Sequence, residues 1–127
     1  MEGSGAGDAV ATAKQEVATA EQKVATAKQE VATAKQEVAI AEQKVATAEQ
    51  KVATAEQKVA EAVGDDAQAI ARENLEFAQR ARSLAQDALE TAQGALASAI
   101  VNHQFQEKML RSLLERKLGD LHIKNLC

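Results

Sequence analysis

Few side chains in this sequence of 127 residues are of types that do chemistry. The only histidines are His103 and His122, and Cys127 is the single cysteine. Metal sites use His, Cys and carboxylate ligands at short, regular spacings, whereas the two histidines are nineteen residues apart. Glycine-rich phosphate loops and the G-x-S-x-G and H-E-x-x-H motifs do not occur in the sequence. We therefore expect no catalytic residue, no metal site, no cofactor and no enzymatic activity.

The composition indicates which secondary structure must carry any function. Alanine accounts for 29 residues, and there is no Pro, Trp or Tyr. Alanine, Glu, Lys and Gln are strong helix formers, but an alanine side chain offers little apolar area for burial. The sequence thus predicts an all-α protein whose helices lack the bulk for an ordinary compact core.

A heptad repeat fills the first half of the chain. Valine recurs every seven residues from Val10 to Val59, and alanine follows each valine three residues later. With Val at position a and Ala at position d, this spacing is typical of a left-handed coiled coil. Positions e and g carry opposite charges in every complete repeat, from Lys14 and Glu16 to Glu56 and Lys58. For two parallel copies of this helix joined at their a and d positions, three e–g pairs attract and three repel.

The heptad pattern divides the chain into five segments. We predict a flexible segment at 1–7, a first helix at 8–63, a turn at 64–66, a second helix at 67–118 and a tail at 119–127. The turn is predicted from Gly64, which suits a left-handed helix end, and from Asp65 and Asp66, which favour a new helix start. Position a also shifts by two residues here, whereas helix-preserving shifts insert three or four.

This break predicts a long antiparallel two-helix coiled-coil hairpin, although a continuous helical rod stays open as an alternative. If residues whose numbers sum to 130 lie opposite each other, each Val or Leu at the a and d positions between residues 31 and 99 meets an Ala, and the helices can approach closely there. The predicted intrachain contacts on the first helix are Val31, Val38, Val45, Val52, Ala34, Ala41 and Ala55. On the second helix they are Leu75, Ala78, Ala85, Leu89, Ala92, Leu96 and Ala99.

The second helix also has large apolar residues beyond its a and d positions. They widen its apolar face past what one partner helix covers, so we predict a four-helix bundle or a higher oligomer. The partner would be another copy of the chain or another helical protein. The candidate partner-binding residues are Ile70, Phe77, Leu84, Phe105, Met109, Leu110, Leu113 and Leu114.

Charge and hydropathy narrow the classes of partner. A net charge of -4 creates no positive field for nucleic acid. No apolar run is long enough for a transmembrane segment, and we expect no signal peptide and an intracellular location. Segment 105–126 is amphipathic and carries five basic residues, so binding to a membrane surface is the alternative function.

The main prediction is a structural or interaction module that acts as a spacer, stalk or oligomerisation unit. The threonines at position c, such as Thr12, Thr19 and Thr26, resemble the threonine rows of type I antifreeze proteins. That family spaces its threonines at a longer interval than the seven residues found here. The resemblance implies ice binding as a minor alternative, and protection during desiccation is another.

Overall fold

Two long helices make up the protein. A computed structural model describes the backbone of residues 2–126 and the side chains of residues 8–117. Helix α1 runs over Glu2–Glu61 and helix α2 over Asp65–Leu126. The described backbone contains no strand and no cis peptide bond. The predicted fold class, an all-α hairpin of two helices, is confirmed.

Each helix contributes to two compact units. The turn-proximal unit comprises residues 33–96, and the terminal unit comprises residues up to 32 and from 97 onward. In both units a segment of α1 packs against a segment of α2. The chain reverses direction within the turn-proximal unit, at residues 62–64.

The helices begin and end at residues other than those predicted. Helix α1 includes residues 2–7, which the sequence assigned to a flexible segment, and α2 continues past residue 118, where the second helix was predicted to end. A glycine inside a helix lowers helix stability by about 1 kcal/mol relative to alanine. Proline would break the helix because it lacks a backbone N–H donor, but the sequence contains no proline. Glycines alone therefore do not interrupt these helices.

The turn lies two residues earlier than predicted. Residues 62–64 are non-helical, and Asp65 and Asp66 already belong to the first turn of α2. Their carboxylates are favourable there because the helix N-terminus carries a partial positive charge. Gly64 has φ +96°, the left-handed conformation that glycine adopts at helix ends. Its carbonyl accepts the first hydrogen bond of α2, from the Gln68 N–H at 3.0 Å.

Neither helix, over the residues that the structure describes, has an apolar stretch that could cross a membrane.

Candidate interaction surface

The interhelical face is the most protected surface of both helices. Between residues 8 and 117, side chains with reduced exposure recur at alternating intervals of three and four residues, and all others are exposed. On α1 these are Ala13, Val17, Ala20, Val24, Ala27, Val31, Ala34, Val38, Ala41, Val45, Ala48, Val52, Ala55 and Val59, and Ala62 directly after α1 continues the series. On α2 they are Gln68, Ala71, Leu75, Ala78, Arg82, Ala85, Leu89, Ala92, Leu96, Ala99, His103, Gln106, Leu110, Leu113 and Lys117.

All fourteen residues predicted to form the intrachain contacts lie on this face. For each protected residue on the first of these two series, the residue on α2 that brings the sum of the two residue numbers to 130 is also protected. Antiparallel helices in the predicted register would show this relation. The pairing of individual residues stays a prediction that crosslinking can test.

Burial on this face differs between the two helices. The buried residues all belong to α1: Ala27, Ala34, Val38, Ala41, Ala48, Val52 and Ala55. In the predicted register each of these alanines faces a longer α2 side chain, either Leu, Arg or His. The α2 alanines face valines, which are shorter, and they are only half-buried.

No described side chain is less than 2% exposed. One hairpin therefore buries little large apolar surface, and its own hydrophobic stabilisation is correspondingly small.

Polar residues also occupy the interhelical face. Arg82, His103, Gln106 and Lys117 are half-buried on α2. In the terminal unit, His103 Nε2 lies 3.1 Å from Glu107 Oε1, one turn along the helix. This contact gives the histidine a local partner, and no group of three or more metal-ligating side chains is found among the described residues. The side chains of His122 and Cys127 lie outside the described residues.

Gln68 is a position whose role the sequence analysis missed. Its side-chain Nε2 donates to the carbonyl of Ala62 at 3.5 Å, while its backbone N–H donates to Gly64. The last carbonyls of a helix lack partners within the helix, so this side chain helps to cap α1. The signal was present, because Gln68 is a polar residue at an a position next to the predicted turn.

One flank of the turn-proximal unit exposes large apolar residues. Ile70 and Phe77 are each 60% exposed and Leu84 is 70% exposed. They recur every seven residues and therefore lie along one side of α2. The guanidinium carbon of Arg80 lies 5.8 Å from the centroid of the Phe77 ring, within the range of a cation–π contact.

The same flank carries lysines on α1. Lys58 and Ile70 line one groove between the helices, together with Ala67 and Asn74. Because the helices are antiparallel, the same heptad spacing predicts Lys51 beside Phe77 and Lys44 beside Leu84. We call this surface the basic flank and define it by Lys44, Lys51, Lys58, Ile70, Phe77 and Leu84. Among the described side chains, these three lysines form no ion pair.

The remaining candidate partner-binding residues lie in the terminal unit and differ in exposure. Phe105 and Met109 are exposed and line a groove with Thr19 and Lys23 of α1. Leu114 is also exposed. Leu110 and Leu113 were predicted to bind a partner, but both are half-buried on the interhelical face. Their a and d spacing turns them towards α1, and their contact with a partner stays a prediction.

Comparison with known proteins identifies no relative: no family, no curated protein and no solved structure matches this chain significantly.

Proposed function

We propose that this protein is a non-catalytic structural module that self-associates through the flanks of its helical hairpin. The observation that carries the proposal is the exposed row Ile70, Phe77 and Leu84. Its regular spacing fits a neighbouring helix, whereas apolar residues scattered singly over a surface need no partner. Such a module serves as an oligomerisation unit, spacer or stalk.

The thin interior of the hairpin supports this role. Among the described residues the buried set contains only alanine and valine, while Phe, Ile and Leu stay outside it on the basic flank. Ordering a residue costs about 1–2 kcal/mol of conformational entropy. Burial of the exposed row against a second hairpin adds apolar stabilisation that one hairpin lacks.

Sedimentation equilibrium tests the proposal, with Cys127→Ser chains to exclude disulfide-linked dimers. We expect masses well above the 13.4 kDa of one chain, falling towards that value when Phe77 and Leu84 are both replaced by Glu. A wild-type chain that stays monomeric at about 100 μM, where even weak specific association is detectable, contradicts the proposal.

Binding of segment 105–126 to a membrane surface has less support. Leu110 and Leu113, two of its large apolar residues, are half-buried against α1. Phe105 and Met109 border one groove, and Leu114 lies at position e, on the other side of the interhelical face. The described part of this segment therefore presents no single apolar face to a lipid surface.

A further inference from the structure

We infer that the hairpins associate side by side, with the basic flank of one copy against the opposite flank of the next. This inference rests on the proposed function and specifies how its copies meet. The opposite flank of the turn-proximal unit, here called the acidic flank, is defined by Glu42, Glu49 and Glu56. The partner is thus a second copy of this chain.

The two flanks lie on opposite sides of α1. Consecutive helical residues are about 100° apart around the axis, so Glu42 and Lys44 are separated by about 200°. Ala41 and Val45, both on the interhelical face, lie between them around the helix. The same holds for Glu49 with Lys51 and for Glu56 with Lys58. All six side chains are exposed.

Glu61 lies three residues after Lys58, but the other two lysines of the basic flank have no such acidic neighbour on α1. Each Glu and Lys of a pair points away from the other, and no ion pair involving them is present among the described side chains. On α1, Lys44 and Lys51 have no acidic residue three or four positions away, and on the same flank α2 offers only Asn74, Ala81 and Ala88.

A parallel neighbouring copy matches the charges. When α1 of the second copy lies beside α1 of the first at the same height, Lys44 meets Glu42 and Lys51 meets Glu49. Lys58 meets Glu56, so each pair attracts. One heptad earlier, Lys35 and Glu37 also attract each other, although the acidic and basic residues there have exchanged positions. Within the terminal unit, the pairs 14 and 16, 21 and 23, and 28 and 30 also have opposite signs.

The charge order also selects one alignment. Each of the seven heptads between residues 14 and 58 of α1 has one charged residue at position e and one at position g. In chain order these e–g pairs are Lys–Glu, Glu–Lys, Lys–Glu, Lys–Glu and then three times Glu–Lys. With copies in register all seven pairs attract. With copies shifted by one heptad, three of the six remaining pairs attract and three repel. Electrostatic complementarity of this kind sets register and partner choice more than affinity.

The other residues of the flanks suit the same arrangement. On α2, Ala81 and Ala88 of the basic flank would face Gln79 and Gln86 of the next copy, so a small side chain meets a long one. On α1, exposed Thr47 and Thr54 would face exposed Ala46 and Ala53. These small residues permit close helix approach, and the glutamine stems cover part of Ile70, Phe77 and Leu84.

The competing arrangements fit the charges less well. In a closed dimer that joins two basic flanks with α1 against α1, lysine rows of the turn-proximal units meet each other. If α1 instead lies against α2 of the second copy, Lys51 and Lys58 are buried opposite Ala81 and Asn74. Burying unpaired charges is costly. The side-by-side arrangement is heterologous, so it can add further copies rather than close as a dimer.

Charge exchange tests the arrangement in three variants, each carrying Cys127→Ser. Variant one replaces Lys44, Lys51 and Lys58 with Glu, and variant two replaces Glu42, Glu49 and Glu56 with Lys. Variant three makes all six substitutions and keeps the wild-type composition and net charge. We expect variants one and two to sediment as monomers separately but to associate when mixed. We expect variant three to associate as wild type does.

Mixing supplies the most selective measurement. For this measurement, wild type and variant three are prepared with Cys127 kept and dyes attached to its thiol. Chains of each kind should transfer energy among themselves and much less with the other kind, because unlike chains would repel at three of the seven pairs. Helicity, followed by circular dichroism, should stay unchanged because all six positions are exposed.

Each other result has a defined meaning. Undiminished association of variant two alone shows that the acidic flank is not used, which overturns this inference and leaves the proposed function standing. Failure of variants one and two to associate when mixed, or free mixing of variant three with wild type, also overturns it. A monomeric wild-type chain overturns the proposed function and this inference together.

Discussion

The ammonium of Lys117 on α2 lies 3.4 Å from a carboxylate oxygen of Glu16 on α1. This contact joins the two helices of the terminal unit. Lys117 lies at an a position, which an apolar residue usually occupies. Both side chains keep solvent contact, so the pair is screened and contributes modestly.

We expect loss of this pair to lower the free energy of unfolding by about 0.2–1 kcal/mol, as for other solvent-exposed ion pairs. A double-mutant cycle with Glu16→Gln and Lys117→Met, followed by urea denaturation, measures the coupling. High salt should reduce it because ions screen exposed charges. A coupling that is zero at low salt would show that the contact does not stabilise the protein.

Much of this fold could be predicted because α1 repeats one simple pattern. The valines from Val10 to Val59 and their following alanines mark the interhelical face directly, and the phase shift near Gly64 marks the reversal. The helix ends were less predictable, because they depend on contacts such as that of the Gln68 side chain with Ala62 rather than on periodicity. Leu110 and Leu113 lie on the interhelical face, as their a and d positions predict.

The basic flank could be predicted only in part. Ile70, Phe77 and Leu84 stand out in the sequence as apolar residues away from the a and d positions. Their association with Lys44, Lys51 and Lys58 depends on which side of α1 meets which side of α2. The groove lined by Lys58 and Ile70 supplied that relation.

Two glycines should respond to alanine substitution with opposite signs. Gly64 has a positive φ, and a left-handed conformation costs an alanine about 1–2 kcal/mol, so Gly64→Ala should destabilise the protein by that amount. Gly94 lies within α2, and nothing lies within 4 Å of where its Cβ would be. Gly94→Ala should stabilise the protein by about 0.5–1 kcal/mol.

Thermal and urea denaturation measure both substitutions. The pair is a matched control, because each adds one methyl group in open space and only the backbone conformation differs. Equal effects at the two sites would contradict the assigned conformation of Gly64.

The register of the turn-proximal unit can be tested by a disulfide. In the predicted register Ala41 faces Leu89, and both lie on the interhelical face. With Cys127→Ser, the variant Ala41→Cys/Leu89→Cys should form an intrachain disulfide on mild oxidation, because paired Cα atoms in disulfides lie about 4.4–6.8 Å apart.

The control for this disulfide is Ala41→Cys/Leu96→Cys. Its second cysteine lies one heptad further along α2, about 10 Å away at 1.5 Å per residue. Preferential crosslinking of the control would show that the helices are shifted by one heptad. Non-reducing electrophoresis and mass spectrometry of the monomer fraction distinguish the products.

The apolar row of the basic flank should be required for association but not for helix formation. Phe77→Glu/Leu84→Glu removes two exposed apolar side chains, so we expect a weaker association constant with little change in helicity at equal monomer content. Gln50→Glu/Gln57→Glu adds the same charge at exposed positions on the outer side of α1, and it should associate as wild type does. Equal weakening by both variants would attribute the effect to net charge alone.

Salt should weaken association if charge pairs between flanks align the copies. Exposed charges are screened beyond about 10 Å at 0.1 M salt and beyond about 3 Å at 1 M. Raising NaCl from about 0.05 M to about 0.5 M crosses most of that range and should lower the average mass measured by sedimentation. Purely apolar docking is not weakened by screening, so an average mass that stays constant or rises with NaCl would argue against the charge pairs.

Sodium sulfate serves as the comparison, because it strengthens apolar burial while it also screens charge. A smaller decrease in sulfate than in chloride at equal ionic strength would show that Ile70, Phe77 and Leu84 contribute alongside the lysines.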